Sequence, residues 1–394
     1  MKTLIELYDD SPVENVLSTE MFRPAETIFI CPNEVADNKQ LRESLIRYFE
    51  HRNVQVRLTF VPVSMLDATK VEKTLRTVLD SHEDCAIDIS GGTDAALYAA
   101  GAVSREVQVF TYSRKKNTFF SIVNAPYADH VKCGIHLDTR SCFLMAGGSM
   151  MPGRGDSAEL AGRIRQIGRL FEIFCAHRRI WNRQISYYQK ISQGADPERR
   201  AYGRRTTRAD HGQVTADDFL LTDLKASGFI RDVETSRDRV SFVFADDTVR
   251  FWLRDVGAVL ELQVYRACME AGCFDDVTIS AVVNWQGGSI RADSVVNEID
   301  VVAVRQTTPL FISCKTCEIR TEALNELAIL RDRFGGKNSR AMIVTSAPAT
   351  KGRLAMRNRA AELGIEVVEW EDLPLERLVN RLKKESGFPG RRGI

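Results

Sequence analysis

Short apolar runs alternate with segments of helical periodicity in the first third of the chain. Residues 27–31, 55–63 and 85–90 are rich in β-branched and aliphatic side chains, which predicts strands. Residues 38–51 and 66–79 between them repeat apolar side chains every three or four positions, which predicts amphipathic helices. This order is typical of parallel βαβ units, so we expect an α/β fold with a doubly wound sheet.

Two loops follow the carboxyl ends of these predicted strands, where doubly wound sheets bind their ligands. The candidate ligand-binding residues in the two loops are Cys31, Pro32, Asn33, Ser90, Gly91, Gly92, Thr93 and Asp94. The glycines allow a ligand to approach the backbone, and the amides that begin the next helix suit a phosphate. A simple turn in which Ser90 or Thr93 caps the helix explains the same residues, so both interpretations stay open.

The last third of the chain shows a second alternating pattern, in the order helix, three strands, helix, strand. Its predicted elements are residues 256–271, 276–284, 297–304, 310–316, 321–334 and 341–346. Four polar side chains accompany these apolar segments: Glu261 in the first helix, Asp300 in the second strand, and Ser313 and Lys315 in the third strand. They are the candidate catalytic residues.

Asp300 is the most informative of them because it lies within an apolar strand. Strand side chains alternate between two faces, so Ile299 and Val301 should both point away from it. An unpaired buried carboxylate costs several kcal/mol, so Asp300 needs a positive partner or a metal. Lys315 is that partner in one interpretation, which leaves Glu261 unexplained. In the other, Glu261 and Asp300 bind Mg²⁺ or Mn²⁺ through their carboxylate oxygens.

The order Glu261, Asp300, Lys315 resembles the active site of metal-dependent nucleases of the restriction-endonuclease-like, PD-(D/E)XK type. The S-G-G-T sequence, joined to that motif, resembles a CARF domain, the cyclic-oligoadenylate sensor of type III CRISPR ancillary nucleases. The chain is similar to family members with one CARF domain and one nuclease domain. The resemblance implies a Rossmann-like sensor in residues 1–137, a linker with helical and hairpin elements in 138–244, and an α/β nuclease domain in 245–394.

The same resemblance implies a function and partners. Such proteins are homodimers that bind cyclic tetra-adenylate between their sensor domains. They then hydrolyse phosphodiester bonds in single-stranded RNA or DNA, or nick duplex DNA, in antiviral defence. The resemblance places the metal, Mg²⁺ or Mn²⁺, on Glu261, Asp300 and the backbone carbonyl of Cys314. Lys315 would orient or deprotonate the attacking water.

Two residues depart from the family pattern and leave alternatives open. Ser313 occupies the position of a carboxylate, so catalysis relies on the other two carboxylates, recruits Glu322 or Glu326 from the next helix, or is lost. If it is lost, the chain is a ligand-gated nucleic-acid-binding regulator. Asp94 stands where the family commonly has lysine, so the ring size of the ligand stays open. An enzyme that acts on the bound nucleotide through the S-G-G-T hydroxyls is a third alternative.

Composition and charge change this picture only locally. The chain of 394 residues is 44% hydrophobic and 27% charged with a net charge of +1, which is typical of a globular protein without a global field for nucleic acid. Residues 151–210 contain thirteen Arg or Lys and six Asp or Glu, so this stretch either follows a phosphate backbone or is a solvated surface. The sequence shows no apolar signal segment or membrane-spanning run, so we expect a cytoplasmic protein.

The nine cysteines lie mainly among apolar neighbours, which predicts reduced and buried thiols. Cys314 and Cys317 have the C-x-x-C spacing of zinc sites, and Cys268 and Cys273 lie upstream. The spacing of the upstream pair does not match a zinc ribbon, so zinc is the less favoured interpretation.

Overall fold

The computed structural model describes residues 1–151, 157–193, 198–210, 212–288, 294–347 and 353–386. A seven-stranded sheet forms the N-terminal region (residues 1–137), with strand order 3-2-1-4-5-6-7. Its strands are β1 (Thr3–Leu7), β2 (Glu26–Cys31), β3 (Arg57–Pro62), β4 (Cys85–Asp88), β5 (Gln108–Ser113), β6 (Thr118–Val123) and β7 (Val131–Lys132). Its helices are α1 (Leu17–Phe22), α2 (Asn33–Ala36), α3 (Lys39–His51), α4 (Ala68–Ser81) and α5 (Asp94–Val103).

Strand β1, at the centre of this sheet, was not predicted from the sequence. It is parallel to β2 on one side and to β4 on the other, and all five of its residues are buried. Its sequence T-L-I-E-L is short and has a glutamate in the middle, so its periodicity is weak. The chain switches sides at β1, and in doubly wound sheets the ligand crevice lies at the carboxyl end of such a strand.

The middle of the chain contains helices and two small antiparallel sheets. These elements are α6 (Thr139–Met145), β8 (Ser149–Met150), α7 (Ser157–Ala161), α8 (Ile164–Ile191), β9 (Arg200–Arg204), β10 (Thr206–Ala209), β11 (Gly212–Thr215), α9 (Asp218–Ala226), β12 (Ile230–Thr235), β13 (Arg239–Phe244) and α10 (Asp247–Trp252). The aromatic, β-branched sequence 248–252 indicates a strand, yet it is helical in α10. The side chain of Asp246 explains this, because it accepts a hydrogen bond from the N–H of Val249 (2.8 Å) and caps the helix.

A six-stranded sheet forms the C-terminal region (residues 245–386), with strand order 18-17-16-15-14-8. Its strands beyond β8 are β14 (Asp276–Asn284), β15 (Val296–Arg305), β16 (Thr308–Lys315), β17 (Arg340–Thr345) and β18 (Ile365–Val368). Its helices are α11 (Ala258–Ala271), α12 (Thr321–Gly335), α13 (Arg353–Glu362) and α14 (Leu375–Glu385). The order of helices and strands expected for this region is confirmed.

One hydrophobic cluster continues from the N-terminal sheet into the C-terminal sheet. It contains Phe29 and Tyr48 of the first region, Phe143 of α6, and Phe311 and Phe334 of the second region. All five side chains are fully buried. The two regions therefore share a packed interior, so a displacement of one changes the contacts of the other.

Polar and close backbone contacts reinforce this junction. The Ser44 hydroxyl in α3 donates a hydrogen bond to the carbonyl of Leu144 in α6 (2.8 Å). At the end of α12, a Cβ added to Gly336 would lie 2.9 Å from Oγ of Ser11 and 3.1 Å from Cδ of Pro12. The segment after β1 thus touches the helix that flanks the C-terminal sheet. Among the described residues, no helix is long and apolar enough to cross a bilayer.

Candidate functional site

The strands that contain the predicted catalytic residues separate at one end. The ladder between β15 and β16 ends at the pair Val301–Ile312, and Asp300 and Ser313 are the next residues on the two strands. There the N–H of Cys314 donates to Oδ2 of Asp300 (2.5 Å), and the Ser313 hydroxyl donates to the same oxygen (3.2 Å). The carboxylate is therefore held where the strands diverge and where a substrate can enter.

The strand β15 changes faces at Asp300. Ile299 packs in the hydrophobic cluster on the α12 side of the sheet, whereas Val301 packs in the cluster on the α11 side. The expectation that both point the same way is wrong, because the backbone departs from simple alternation here. On β14, Ser280 lies opposite Asp300 and has a φ of +50°, so the neighbouring strand is irregular at the same level. Asp300 can consequently meet groups from both faces of the sheet.

Lys315 lies on one side of this carboxylate. Its Nζ is 3.8 Å from Oδ2 of Asp300, and the two side chains are 36% and 18% exposed. The predicted ion pair is therefore present. A pair with this exposure contributes about 0–1 kcal/mol to stability. Stability alone does not account for Lys315, and its ammonium group remains accessible to a substrate.

Glu261 lies on the other side, in the first turn of α11. Burial and, second to it, the charge of Asp300 raise the pKa of Glu261 to about 8, with smaller effects from Asp255 and Glu298. Its nearest hydrogen-bond partner is the Ser280 hydroxyl, which donates to Oε2 at 3.5 Å. The charge of Asp300 therefore disfavours ionisation of Glu261, and the charge of Lys315 opposes this effect.

This donor set fits a hard divalent cation. Carboxylate oxygens are the ligands that Mg²⁺ and Mn²⁺ prefer, and a cation between Glu261 and Asp300 would relieve their repulsion. No group of three or more His, Cys, Asp or Glu side chains that could hold a metal occurs in the described ranges. Any cation here would therefore need backbone, water or substrate oxygens as well, which is usual for Mg²⁺. All nine cysteines are free thiols, and six of them are buried.

A small cavity of about 70 Å³ adjoins Asp300 on the α12 side. Ser313, Lys315, Glu298 and Glu326 also line it. The amide of Asn297 donates a hydrogen bond to Oε1 of Glu326 (2.8 Å), which fixes that carboxylate at the cavity. Of the two helix residues suggested as a replacement carboxylate for Ser313, Glu326 is the one that lines this cavity.

The second predicted site, the loop between β4 and α5, is held by its own side chains. The N–H of Ser90 donates to Oδ1 of Asp88 (2.7 Å), and the Ser90 hydroxyl donates to the same atom. The Thr93 hydroxyl donates to the carbonyl of Met65, and its oxygen caps α5. The capping interpretation is therefore observed for Thr93. Both hydroxyl protons are used within the protein.

The predicted ligand residues differ in their accessibility. Cys31 and Gly91 are buried, and burial raises the pKa of the Cys31 thiol to about 12, so Cys31 belongs to the core. The remaining residues of the two loops have accessible surface: Pro32, Asn33, Ser90, Gly92, Thr93 and Asp94. Since β2 and β4 flank β1, both loops lie at the same edge of the sheet.

The segment after β1 belongs to this edge and was missed in the sequence. Oδ2 of Asp9 accepts a hydrogen bond from the N–H of Gly92 (3.2 Å), and the buried Glu14 forms an ion pair with Arg114. The signal that could have found it is the run T-L-I-E-L followed by the turn D-D-S-P. This segment connects the loop after β4 with Gly336 of the C-terminal region.

The basic stretch 151–210 is partly neutralised by ion pairs. Arg163 lies 2.7 Å from Asp246 and 3.0 Å from Glu159, and Arg205 pairs with Asp218. Residues 152–156 and 194–197 of this stretch lie outside the described residues. Its contact with nucleic acid stays a prediction.

Comparison with known proteins gives the same architecture. Residues 246–385 match the family model described as Card1-like, endonuclease domain. Protein VC1899 from Vibrio cholerae has a TM-score of 0.74 at 18% identity over 98% of this chain and 99% of its own. Can2 from Sulfobacillus thermosulfidooxidans, solved with cyclic tetra-adenylate, has a TM-score of 0.70 at 16% identity over 98% and 99%. These likenesses confirm the fold along the chain. No curated protein sequence matches.

Proposed function

We propose that this chain is a metal-dependent nuclease activated by a cyclic oligoadenylate, and the match of residues 246–385 to the Card1-like endonuclease model supports this proposal. Its substrates are single-stranded RNA or DNA, and its setting is type III CRISPR antiviral defence. The observation that carries the proposal is the convergence of Glu261, Asp300 and Lys315 where β15 and β16 separate. These are the carboxylates and the lysine that hydrolysis of a phosphodiester needs.

Glu261 and Asp300 would hold the metal, Mg²⁺ or Mn²⁺, and the carbonyl of Cys314 would complete the protein's share of ligands. When bound, the cation supplies Lewis-acid stabilisation of charge on the phosphate. The hydrogen bonds from Cys314 and Ser313 to Oδ2 of Asp300 keep that carboxylate oriented. Ser313 then acts through its hydroxyl as a neutral ligand of the metal site. Glu326 on α12 is the carboxylate that lines the same cavity as Ser313.

Lys315 acts on the reacting groups from the accessible side of Asp300. Hydrolysis forms a bond between a water oxygen and phosphorus and breaks the bond from phosphorus to the leaving sugar oxygen, which takes up a proton. The ammonium group of Lys315 orients the water and offsets the negative charge that develops on the phosphate oxygens. Its Nζ lies 3.8 Å from Oδ2 of Asp300, so the ammonium group is held beside the carboxylate proposed to bind the metal.

The N-terminal region would bind the activator, most readily cyclic tetra-adenylate, at the carboxyl ends of β1, β2 and β4. Leu66 and Tyr98 are 83% and 75% exposed close to the loop after β4, which supports contact with a second copy there. A homodimer would thus enclose one ring between two such loops. Activation requires that the ring bind two conformations with different affinity. The shared hydrophobic cluster is the route by which that difference reaches the nuclease region.

A gel assay tests the proposal directly. Labelled single-stranded RNA, single-stranded DNA and supercoiled plasmid are incubated with the protein in Mn²⁺ or Mg²⁺, with and without cyclic tetra-adenylate. We expect cleavage only with the activator, its loss with a chelator, and its loss in Asp300→Ala. Recovery of the intact ring after the incubation would exclude an enzyme that consumes its activator.

The second candidate function is a ligand-gated nucleic-acid-binding regulator without catalysis. Ser313 in place of a carboxylate is the observation that favours it. Nucleic acid that is bound in the presence of the activator but never shortened in either metal would establish this function and refute the nuclease.

A further inference from the structure

A second cavity shares a wall with the candidate active site. Its volume is about 300 Å³, and Glu261 and Ser280 line it together with residues from α7, α10 and α11. Because Glu261 belongs to both sites, a ligand in this cavity would lie next to the phosphate that is attacked in the proposed reaction. Apart from Glu261, none of the residues that line this cavity was among the site residues predicted from the sequence.

The cavity combines flat apolar surface with carboxylates. Phe251 and Trp252 of α10 line it with aromatic rings, of which Phe251 is 42% exposed and Trp252 is 3% exposed. Glu159 and Asp247 add carboxylates, and among the described residues no lysine or arginine lines the cavity. Arginines partly neutralise these carboxylates, since Arg163 lies 3.0 Å from Glu159 and Arg199 lies 3.9 Å from Asp247. The aromatic surface favours a planar, neutral ring.

The walls of the cavity are held in place by contacts within the protein. Arg163 pairs with Glu159 (3.0 Å) and with Asp246, the cap of α10 (2.7 Å). The Thr248 hydroxyl donates to Oε1 of Glu159 (2.9 Å). These bonds connect α7 to α10, so the cavity exists before a ligand arrives.

We infer that this cavity is a nucleobase subsite, which holds one unstacked base of a single-stranded substrate beside the scissile phosphate. The inference rests on the proposed nuclease function and adds a base preference to it. The carboxylates of Glu159 and Asp247 accept hydrogen bonds, so they favour bases with an amino group. Adenine, cytosine and guanine have that group, and uracil and thymine present carbonyl oxygens in its place. The single-strand requirement follows, because a base in a duplex stays stacked.

Sequencing of the product ends tests the base preference. The activated protein cuts a pool of single-stranded oligonucleotides with randomised sequence, and the bases around each cut are counted. We expect thymine to be depleted about tenfold at one fixed position next to the cut, as expected for one stacked and hydrogen-bonded base. In Phe251→Ala and in Asp247→Asn this depletion falls to about twofold, with KM raised more than kcat is lowered.

Two further variants control for folding. Phe219→Ala removes a phenylalanine of the same middle region that is 80% exposed and lies outside the cavity lining, and it should retain the wild-type preference. Phe251→Tyr keeps an aromatic ring and should restore the preference lost in Phe251→Ala. Wild-type ends without any base preference, or a preference that survives both Phe251→Ala and Asp247→Asn, would overturn the inference.

A binding measurement separates this inference from the nuclease proposal. Fluorescence anisotropy compares labelled deoxycytidine and thymidine homopolymers with the activator present and divalent metal removed. We expect the cytidine strand to bind about tenfold more tightly, and Phe251→Ala to remove most of that difference. Equal affinities in the wild type would refute the subsite. A preference in binding without cleavage in metal would retain the subsite and refute the nuclease.

Discussion

Two carboxylate pairs in this chain differ in their surroundings, since one pair is buried and the other is partly exposed. Glu6 and Asp88 lie under the loop after β4, and Glu261 and Asp300 lie in the C-terminal region. Burial raises the pKa of Asp88 to about 6 and that of Glu261 to about 8. Judged by pKa alone, both pairs would be candidates for catalysis.

Their partners separate them. Asp88 accepts hydrogen bonds from Ser18 and from both the hydroxyl and the N–H of Ser90, and it is 1% exposed. Glu261 has one distant hydroxyl partner and lines a cavity of about 300 Å³. A raised carboxylate pKa therefore reports burial. A carboxylate with few hydrogen-bond partners next to a cavity is the stronger indication of a catalytic or metal-binding site. The first pair shapes a loop, and the second pair is available to a cation and a substrate.

Lys315→Ala should produce the largest effect of the variants considered, and it should lower cleavage activity without lowering stability. We expect activator-dependent cleavage to fall by about 100-fold or more, because a positive charge aimed at the reacting phosphate is lost. The melting temperature should change little, since the pair with Asp300 is 36% and 18% exposed. The control is Lys73→Ala, which removes an exposed lysine of α4. Cleavage that persists at the wild-type rate would assign Lys315 to stability and leave the C-terminal pair without its proposed role.

Gly91→Ala should act on the N-terminal pair through the loop above it. A Cβ at Gly91 would lie 2.8 Å from Cβ of Asp9 and 3.2 Å from the carbonyl oxygen of Leu7. We expect a loss of about 1–3 kcal/mol in the free energy of unfolding from overpacking. The thermal shift caused by cyclic tetra-adenylate should also shrink. Denaturant titration and a thermal-shift assay measure the two effects.

Gly101→Ala is the matched control for that substitution. Gly101 lies in α5, and no atom would lie within 4 Å of its added Cβ. Alanine in a helix interior is favoured over glycine by up to about 1 kcal/mol, so this variant should be slightly more stable than the wild type. If both alanine variants unfold alike, then the contact between the loop and the segment after β1 is not tight.

The sequence predicts the repeating elements of both sheets but not the irregular positions that form the sites. Strands with continuous apolar runs, such as β16, are visible because burial on both faces demands such residues. The face change at Asp300 is invisible, because it depends on a backbone irregularity that β15 shares with Ser280. Glu326 was one of two candidates, and only packing places it beside Asp300. The segment from Asp9 to Glu14 was missed with β1, since a glutamate interrupts that strand.

The smallest expected effect concerns the pH dependence of folding, and it isolates Glu6. Burial, reinforced by the neighbouring charge of Asp88, raises the pKa of Glu6 well above its usual 4.5. The folded protein therefore binds more protons than the unfolded chain above pH 4.5. Stability that is present at low pH is lost as the pH rises through the folded-state pKa. Asp88 contributes to the pH dependence of stability in the same direction, between pH 3.8 and about pH 6.

Glu6→Gln removes one of these two titrating groups and leaves the shape of the side chain nearly unchanged. Oε1 of Glu6 has no hydrogen-bond partner in the described structure, so replacing this carboxylate breaks no hydrogen bond at that atom. An amide at this position can donate a hydrogen bond toward Asp88 without carrying charge. We expect the variant to gain about 1 kcal/mol near pH 8 and to show a flatter stability curve between about pH 5 and about pH 8.

Thermal unfolding over that pH range measures the difference. Glu83→Gln is the control, because the Glu83 side chain is 90% exposed and its removal should leave the curve parallel to that of the wild type. If the stability curve of Glu6→Gln is also parallel to that of the wild type, then Glu6 is ionised in the folded protein. The N-terminal pair would then be two charges held together, and the contrast with Glu261 and Asp300 would rest on access to solvent instead of on satisfied hydrogen bonds.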